Sequence, residues 1–191
     1  GEKFKQSTIV NEEVKKGIED AIVFAPLHNP AHLQGIKACE KLLPGKPNIA
    51  VFDTAFHQTV EKERFLYPIP YEYYEKYAVR RYGAHGTSHK YLSQVVNEEY
   101  LAVKEHTRII TLHIGSGASV SAVKDGKCIA TSMGLTPLAG VMMGTRTGDI
   151  DPSCMPYLCK CTGKTVDEMY DIYNKKSGLL GVSGISNDTR D

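Results

Sequence analysis

Apolar positions along the 191 residues recur with two different periods, and the switches between them mark out the elements. Asn11 followed by Glu12 and Glu13, with Val14, Ile18, Ala21 and Ile22 at helical spacing, predicts an N-capped helix over 11–24. A second helix is expected from Asn29, with Pro30 in its first turn and Leu33, Ile36 and Leu43 facing inward, until Pro44 stops it. The break between the two exposes His28. The run Asn48-Ile-Ala-Val-Phe52 reads as a short strand buried on both faces, with Asp53 at its carboxyl end. After a stretch rich in prolines, turn signals and tyrosines over 54–82, a helix is expected over 87–101. The period then changes to two. Strands are expected over 108–114, 118–123 and 128–133, joined at Gly115-Ser-Gly117 and Asp125-Gly126 as an antiparallel meander. Asp151-Pro152 predicts a short helix, and the capping box Thr165-x-x-Glu168 a last one closing near Gly178.

Composition narrows the function classes. Lys plus Arg number 23 against 22 for Asp plus Glu, a formal charge of +1, so no one-signed field draws in nucleic acid or an anionic membrane. A hydrophobic content of 41% with 24% charged residues is that of a globular chain with a packed core. No apolar run reaches the 18 or so residues of a membrane span, and a cytoplasmic location is expected. Cys39, Cys128, Cys154, Cys159 and Cys161 are odd in number and irregular in spacing, which does not form a disulfide framework. The Cys154-x4-Cys159-x-Cys161 group lacks a second ligand pair at a zinc-finger spacing, so no metal site is expected from it.

Several residues are candidates for chemistry, each with a plainer alternative. The Gly115-Ser-Gly117 turn either presents backbone N–H groups to a phosphate or is simply a hairpin corner. It is not a Walker loop, since no Gly-Lys-Ser/Thr is present and no helix follows. Arg146, in Gly144-Thr-Arg-Thr-Gly-Asp149, suits the oxygens of a phosphoryl group in transfer or is a surface arginine in a turn. His85-Gly-Thr-Ser-His89 has zincin spacing without the catalytic Glu, so His89 reads as a helix-packing residue and His85 as the one free for polar work. Asp53 is either a base or metal ligand, or a strand-end cap. His113 faces a nucleotide or is a satisfied strand histidine. Asp188 and Arg190 are a polar end loop or a surface ion pair.

Taken together, Val51-Phe-Asp-Thr-Ala-Phe-His-Gln-Thr59, Arg80-Arg-Tyr-Gly-Ala-His-Gly-Thr-Ser-His89, Gly144-Thr-Arg-Thr-Gly-Asp-Ile-Asp-Pro152 and Ser183-Gly-Ile-Ser-Asn-Asp-Thr-Arg-Asp191 resemble, in that order, the acetokinase family. The resemblance implies an α/β, ribonuclease-H-like (actin-like ATPase) fold, with 1–54 the end of a first lobe and 55–191 the start of a second carrying the nucleotide phosphate corner. It implies ATP-dependent phosphorylation of acetate to acetyl phosphate, with ATP and Mg2+ as cofactors and a homodimer formed through the second lobe. By the same resemblance Asp53, His85 and Arg146 are catalytic. His113, Ile114, Gly115, Ser116, Gly117, Asp188, Thr189 and Arg190 contact nucleotide, and Leu27, His28, Ala84 and Pro137 line the substrate site.

Departures from the family pattern carry their own expectations. The family's amino-terminal phosphate loop, its carboxylate-holding arginine, a further adenosine loop and a magnesium-associated glutamate find no match. With Gly1 at one end and Asp191 at the other, the chain reads as the middle of a longer protein with little turnover alone. Ser116 stands where many members carry Asn, which shortens or removes one nucleotide contact. Ala84 stands where Phe is usual, which predicts a roomier acyl pocket open to propionate or butyrate.

Overall fold

A computed structural model describes residues 2–26, 28–101 and 105–191. Asn11 caps α1 (Glu12–Asp20) by accepting a 2.9 Å bond from the Val14 N–H. The expected 11–24 helix tightens after Asp20 into a 3-10 turn, Ala21–Phe24. Helix α2 (Asn29–Leu42) follows, but Asn29 is not its cap; its side-chain amide donates instead to the Ile18 carbonyl of α1. Leu33 and Ile36 are half-buried, whereas Leu43 lies 57% exposed, contrary to its expected inward face. It falls one residue beyond the last helical turn, where the backbone has left the helical arc.

Strands β1 (Thr8–Ile9) and β2 (Ile49–Ala50) form a two-stranded antiparallel pair. The strand expected over 48–52 is thus shorter than its apolar run and is not buried on both faces. Ile49 and Val51 are 63% and 62% exposed, because among the described residues β2 has a single partner strand. Phe52 is fixed by stacking on Phe4, with ring centroids 4.9 Å apart.

The stretch over 54–82 folds into a 3-10 turn (Ala55–Thr59) and two short helices, α3 (Lys62–Phe65) and α4 (Glu72–Tyr77). Arg81 then ties this segment to the sheet, its Nη1 donating to the carbonyls of Thr131, Ser132 and Met133. The 87–101 helix appears as α5 (Gly86–Val95) running into a π turn, Val96–Tyr100.

The meander is present as expected, with β3 (Arg108–Ile114), β4 (Ala118–Lys124) and β5 (Lys127–Thr131) in that order. Asp125 and Gly126 both take positive φ at the second corner, as a type I′ hairpin requires. The usual division of a two-faced sheet is partly reversed. Thr111, Ser119 and Ser121 are buried on the face covered by α5, while Ile110, Leu112 and Ile114 lie open on the other.

After an irregular loop over 132–153 come α6 (Cys154–Thr162), α7 (Val166–Lys175) and α8 (Gly178–Ser183). Both halves of the Thr165/Glu168 capping box are formed. Gly178 begins α8 instead of closing α7; at φ +63° a Cβ there would collide with the Met143 and Arg146 carbonyls. The core beside this loop is a cluster of Ala84, Ala118, Met133 and Met143.

Candidate active site

The turn before α5 carries the first group of candidates. His85 takes the left-handed conformation at φ 59°, which costs a non-glycine residue on the order of 1 kcal/mol. Two bonds hold it there. Its backbone N–H donates to Asp53 Oδ2 at 2.8 Å, and its ring Nδ1 lies 2.7 Å from Ser119 Oγ on β4. The next N–H, that of Gly86, donates to the Asp53 carbonyl at 2.8 Å. A Cβ on Gly86 would collide with that same carbonyl, so only glycine lets the start of α5 rest on Asp53. Among the described residues Asp53 Oδ1 takes no hydrogen bond, and the residue is exposed.

Arg146 approaches from the Gly144–Gly148 loop. Its Nη1 donates to the Pro137 carbonyl at 2.7 Å, and the loop backbone is gripped by α8 through Ser177 N–H to Thr145 O, Leu179 N–H to Met143 O and Leu180 N–H to Gly144 O. The guanidinium is aimed at the glycine turn. A Cβ placed on Gly117 would stand 3.0 Å from Arg146 Nη2 and 3.5 Å from His85 Nε2. The missing side chain of Gly117 is therefore the space into which both groups point.

His113, at the end of β3, stacks on His85 with ring centroids 3.9 Å apart and bonds Ser88 Oγ through Nδ1. Burial, the His113 ring and the Arg146 cation together hold the His85 pKa below the usual histidine value, with Asp53 pulling the other way. Burial also lowers Arg146, which stays charged because a guanidinium starts so high. Two nitrogen-bearing groups facing one space, with a carboxylate behind the histidine backbone, form a place where negative charge on a substrate is welcome.

The structure thus gathers Asp53, His85, His113, Gly117, Arg146 and the Pro137 carbonyl, drawn from five segments between residues 53 and 146. Other candidates lie further out. Gly115 and Ser116 are exposed at the corner, closed by a 2.9 Å bond from Gly115 N–H to Gly117 O, and Ile114 is 70% exposed. His28 is exposed at the start of α2 beside His32. Asp188 and Arg190 bond to each other as a surface pair, and Asp188 and Thr189 line a shallow hollow of about 380 Å³ with Leu179, Ser183 and Ile185. Their loop does reach the Arg146 segment, since a Cβ on Gly144 would stand 3.1 Å from the Asn187 carbonyl. Leu27 lies outside the described residues. Ala84 is 6% exposed and packed against the two methionines of the core cluster.

Sequence reasoning passed over Ser119, Thr111, Ser88 and His57. His57 is 1% exposed between Cys128 Sγ and the Ala84 carbonyl, and burial raises the Cys128 pKa to about 11, so that thiol stays protonated. Alternation in β3 sets Thr111 against the apolar Ile110, Leu112 and Ile114 and so assigns it to solvent; its burial and that of Ser119 come from α5 covering the polar face of the sheet.

Comparison with known proteins places this geometry in a family. The chain matches the family model of the Acetokinase family over residues 1–191. It is 60% identical over 192 residues to the acetate kinase of Thermotoga maritima and 58% identical over 191 residues to that of Finegoldia magna, covering 100% of this chain and 48% of each relative. The chain thus spans about half the length of the curated relatives it matches. Among solved structures, a propionate kinase from Francisella tularensis superposes with a TM-score of 0.95 at 48% identity, and Porphyromonas gingivalis acetate kinase with 0.92 at 50%. Each match covers all of this chain and 49% or 48% of the solved one. These relatives have the actin-like ATPase fold, so the two sheets and eight helices described above are part of that ribonuclease-H-like α/β architecture. On sequence and on structure alike, the chain belongs to the acetokinase family.

Proposed function

We propose that this chain is the phosphoryl-transfer centre of an acetate kinase, which passes the γ-phosphoryl of ATP to a carboxylate oxygen of acetate and gives acetyl phosphate and ADP, reversibly. The observation that carries the reading is the convergence of Arg146 Nη2 and His85 Nε2 on the space beside Gly117, in a chain whose relatives at about 60% identity bear that name. Acetate is ionised near neutral pH and attacks without a general base. Catalysis is then positioning and charge stabilisation. Arg146 and His85 neutralise charge on the equatorial oxygens, and the glycine corner with His113 approaches the nucleotide phosphates. The loop of Asp188, Thr189 and Arg190 reaches the nucleotide from the α8 side, while Leu27, His28, Ala84 and Pro137 belong to the acyl side.

Asp53 fits a role in holding Mg2+. Asp53 is exposed and its Oδ1 takes no hydrogen bond among the described residues, and Mg2+ is commonly held by one or two carboxylates with substrate phosphates and water completing its shell. Among the described residues no group of three or more His, Cys, Asp or Glu gathers into a full cage. When bound, Mg2+ supplies charge neutralisation to the β- and γ-phosphates.

The same proposal assigns 1–54 to the end of a first lobe and 55–191 to the start of a second. The separation of β1-β2 from β3-β4-β5 into two sheets supports that division. A homodimer through the second lobe and a cytoplasmic location complete the reading. No helix among the described residues is long and apolar enough to cross a membrane.

The test is acetyl phosphate formation, followed as the hydroxamate, in a family-length chain carrying these residues. Arg146→Ala is expected to lower kcat on the order of 10³-fold, as loss of an arginine finger does; near-normal kcat overturns the role. The 191 residues alone are expected to turn over little, and a kcat near that of a family-length chain overturns that expectation. Calorimetric titration with ATP and Mg2+ separates a noncatalytic nucleotide-binding module, which binds without turnover, from the enzyme. The match to a propionate kinase favours a second acyl specificity, decided by kcat/KM for acetate against propionate.

A further inference from the structure

One peptide of the site is held at both of its polar ends. The N–H between Ala84 and His85 donates to Asp53 Oδ2 at 2.8 Å, and the carbonyl of the same unit lies 2.8 Å from His57 Nε2. Both partners come from one short stretch of chain, since the 3-10 turn Ala55–Thr59 that carries His57 begins two residues after Asp53. We propose that His57 is a positioning residue, which holds the Ala84–His85 peptide in the orientation that keeps its N–H on Asp53 Oδ2 and so fixes the carboxylate behind His85. Its use in catalysis rests on the acetate kinase reading; the grip on the peptide rests on the bonds alone.

The direction of the His57 bond is fixed by its partner. A carbonyl oxygen has no proton to give, so Nε2 is the donor. Burial lowers the His57 pKa, the ring is neutral near neutral pH, and its one proton sits on Nε2. Nδ1 is then bare and faces Cys128 Sγ at 3.1 Å. That thiol has a second acceptor in the Ala130 carbonyl at 3.4 Å, and the His57 proton stays on Nε2 whichever of the two the thiol takes. The ring is 1% exposed. Thr59 Oγ1 donates to the Cys128 carbonyl at 2.7 Å, which pins the turn to β5, and a Cβ on Gly83 would stand 2.7 Å from His57 Cδ2, so the ring fits only against a glycine.

The grip opposes a specific motion. His85 stands at φ 59°, and a half turn of the peptide before it would return φ to the negative range that side chains prefer. That turn exchanges the two ends of the peptide. The carbonyl would then face the Asp53 carboxylate, oxygen against oxygen, and the carboxylate would lose its donor. The Asp53 bond resists the turn at one end and the His57 bond at the other. The His57 donor also polarises the peptide and strengthens its N–H as a donor to Asp53.

The test uses a family-length chain carrying these residues. In a crystal structure of His57→Leu, which keeps the bulk and removes the donor, the Ala84–His85 peptide is expected to have turned, with His85 at negative φ and its N–H off Asp53; a peptide still oriented as in the parent overturns the proposal. His57→Gln, whose side-chain amide can donate to the same carbonyl, is expected to keep the parent orientation. In the acetyl phosphate assay His57→Leu is expected to lower kcat roughly 10- to 10²-fold with KM for ATP little changed, and His57→Gln to recover most of the loss. Unchanged kcat in His57→Leu, a loss that falls on KM alone, or a His57→Gln no better than His57→Leu overturns the role. If His57→Leu does not fold, 15N NMR of the histidine-labelled unsubstituted chain at neutral pH still decides: a protonated, pyrrole-type Nε2 on His57 is expected, and a bare one overturns the grip. The structure and the spectrum need no turnover, so an inactive parent removes the acetate kinase reading without touching the grip.

Discussion

At the scale of single residues the site depends on what Gly117 lacks. Its Cβ would stand 3.0 Å from the far end of the Arg146 side chain, a flexible group that gives way without unfolding the sheet. Gly117→Ala is therefore expected to leave the melting temperature nearly unchanged while lowering kcat of a family-length chain up to ~10²-fold, the scale of an ångström-sized misplacement. Unchanged kcat would show that the guanidinium does not work in that position. The buried histidines set a pH dependence. Burial drives the His89 pKa from 6.5 down to about 4, and lowers His57 and His85 as well. The folded state thus disfavours the charged rings. Their contribution to stability is complete above pH 6.5 and is lost as the pH falls from there toward 4, by up to ~3 kcal/mol for His89. Melting temperature followed between pH 8 and 4 checks the direction, and its slope is expected to flatten in His89→Gln.

At the scale of elements, local chemistry and close packing divide the work. The Asn11 cap, the Thr165/Glu168 box and the Asp125-Gly126 corner were legible because each is a short-range bargain between a side chain and nearby backbone. Thr165→Ala is expected to cost about 1 kcal/mol in urea unfolding, the usual value of an N-cap. Helix α5 is placed differently. Its first residue rests on the Asp53 carbonyl because Gly86 has no side chain. Gly86→Ala is expected to push Asp53 and His85 apart, with loss of turnover well beyond any loss of helicity, measured by activity beside circular dichroism. The short β2 and the exposed Leu43 were misjudged from sequence because apolar runs report what a residue prefers, not whether a neighbour is there to cover it.

At the scale of the whole molecule, the open face of the meander stands out. Ile110, Leu112 and Ile114 lie 63%, 55% and 70% exposed on β3, an edge strand among the described residues, and such a strand is a template for pairing. The 191 residues alone are expected to bind a hydrophobic dye and to associate as concentration rises. Ile110→Lys with Leu112→Lys is expected to suppress both, measured by dye fluorescence and sedimentation; no change would show that this face is not the cause.

Sequence alone determined the periods, the caps and the four signature segments around Asp53, His85, Arg146 and Asp188, because these are written in neighbouring residues. Only the tertiary structure decided that Arg146 and His85 point into the vacancy at Gly117, that His85 sits at positive φ, and that Thr111, His89 and Ser119 share one line of hydrogen bonds behind it. Those facts join residues tens of positions apart. Burial of polar groups, once forced by packing α5 onto the sheet, compels them to find one another, and no local preference in the chain records which partner each one meets.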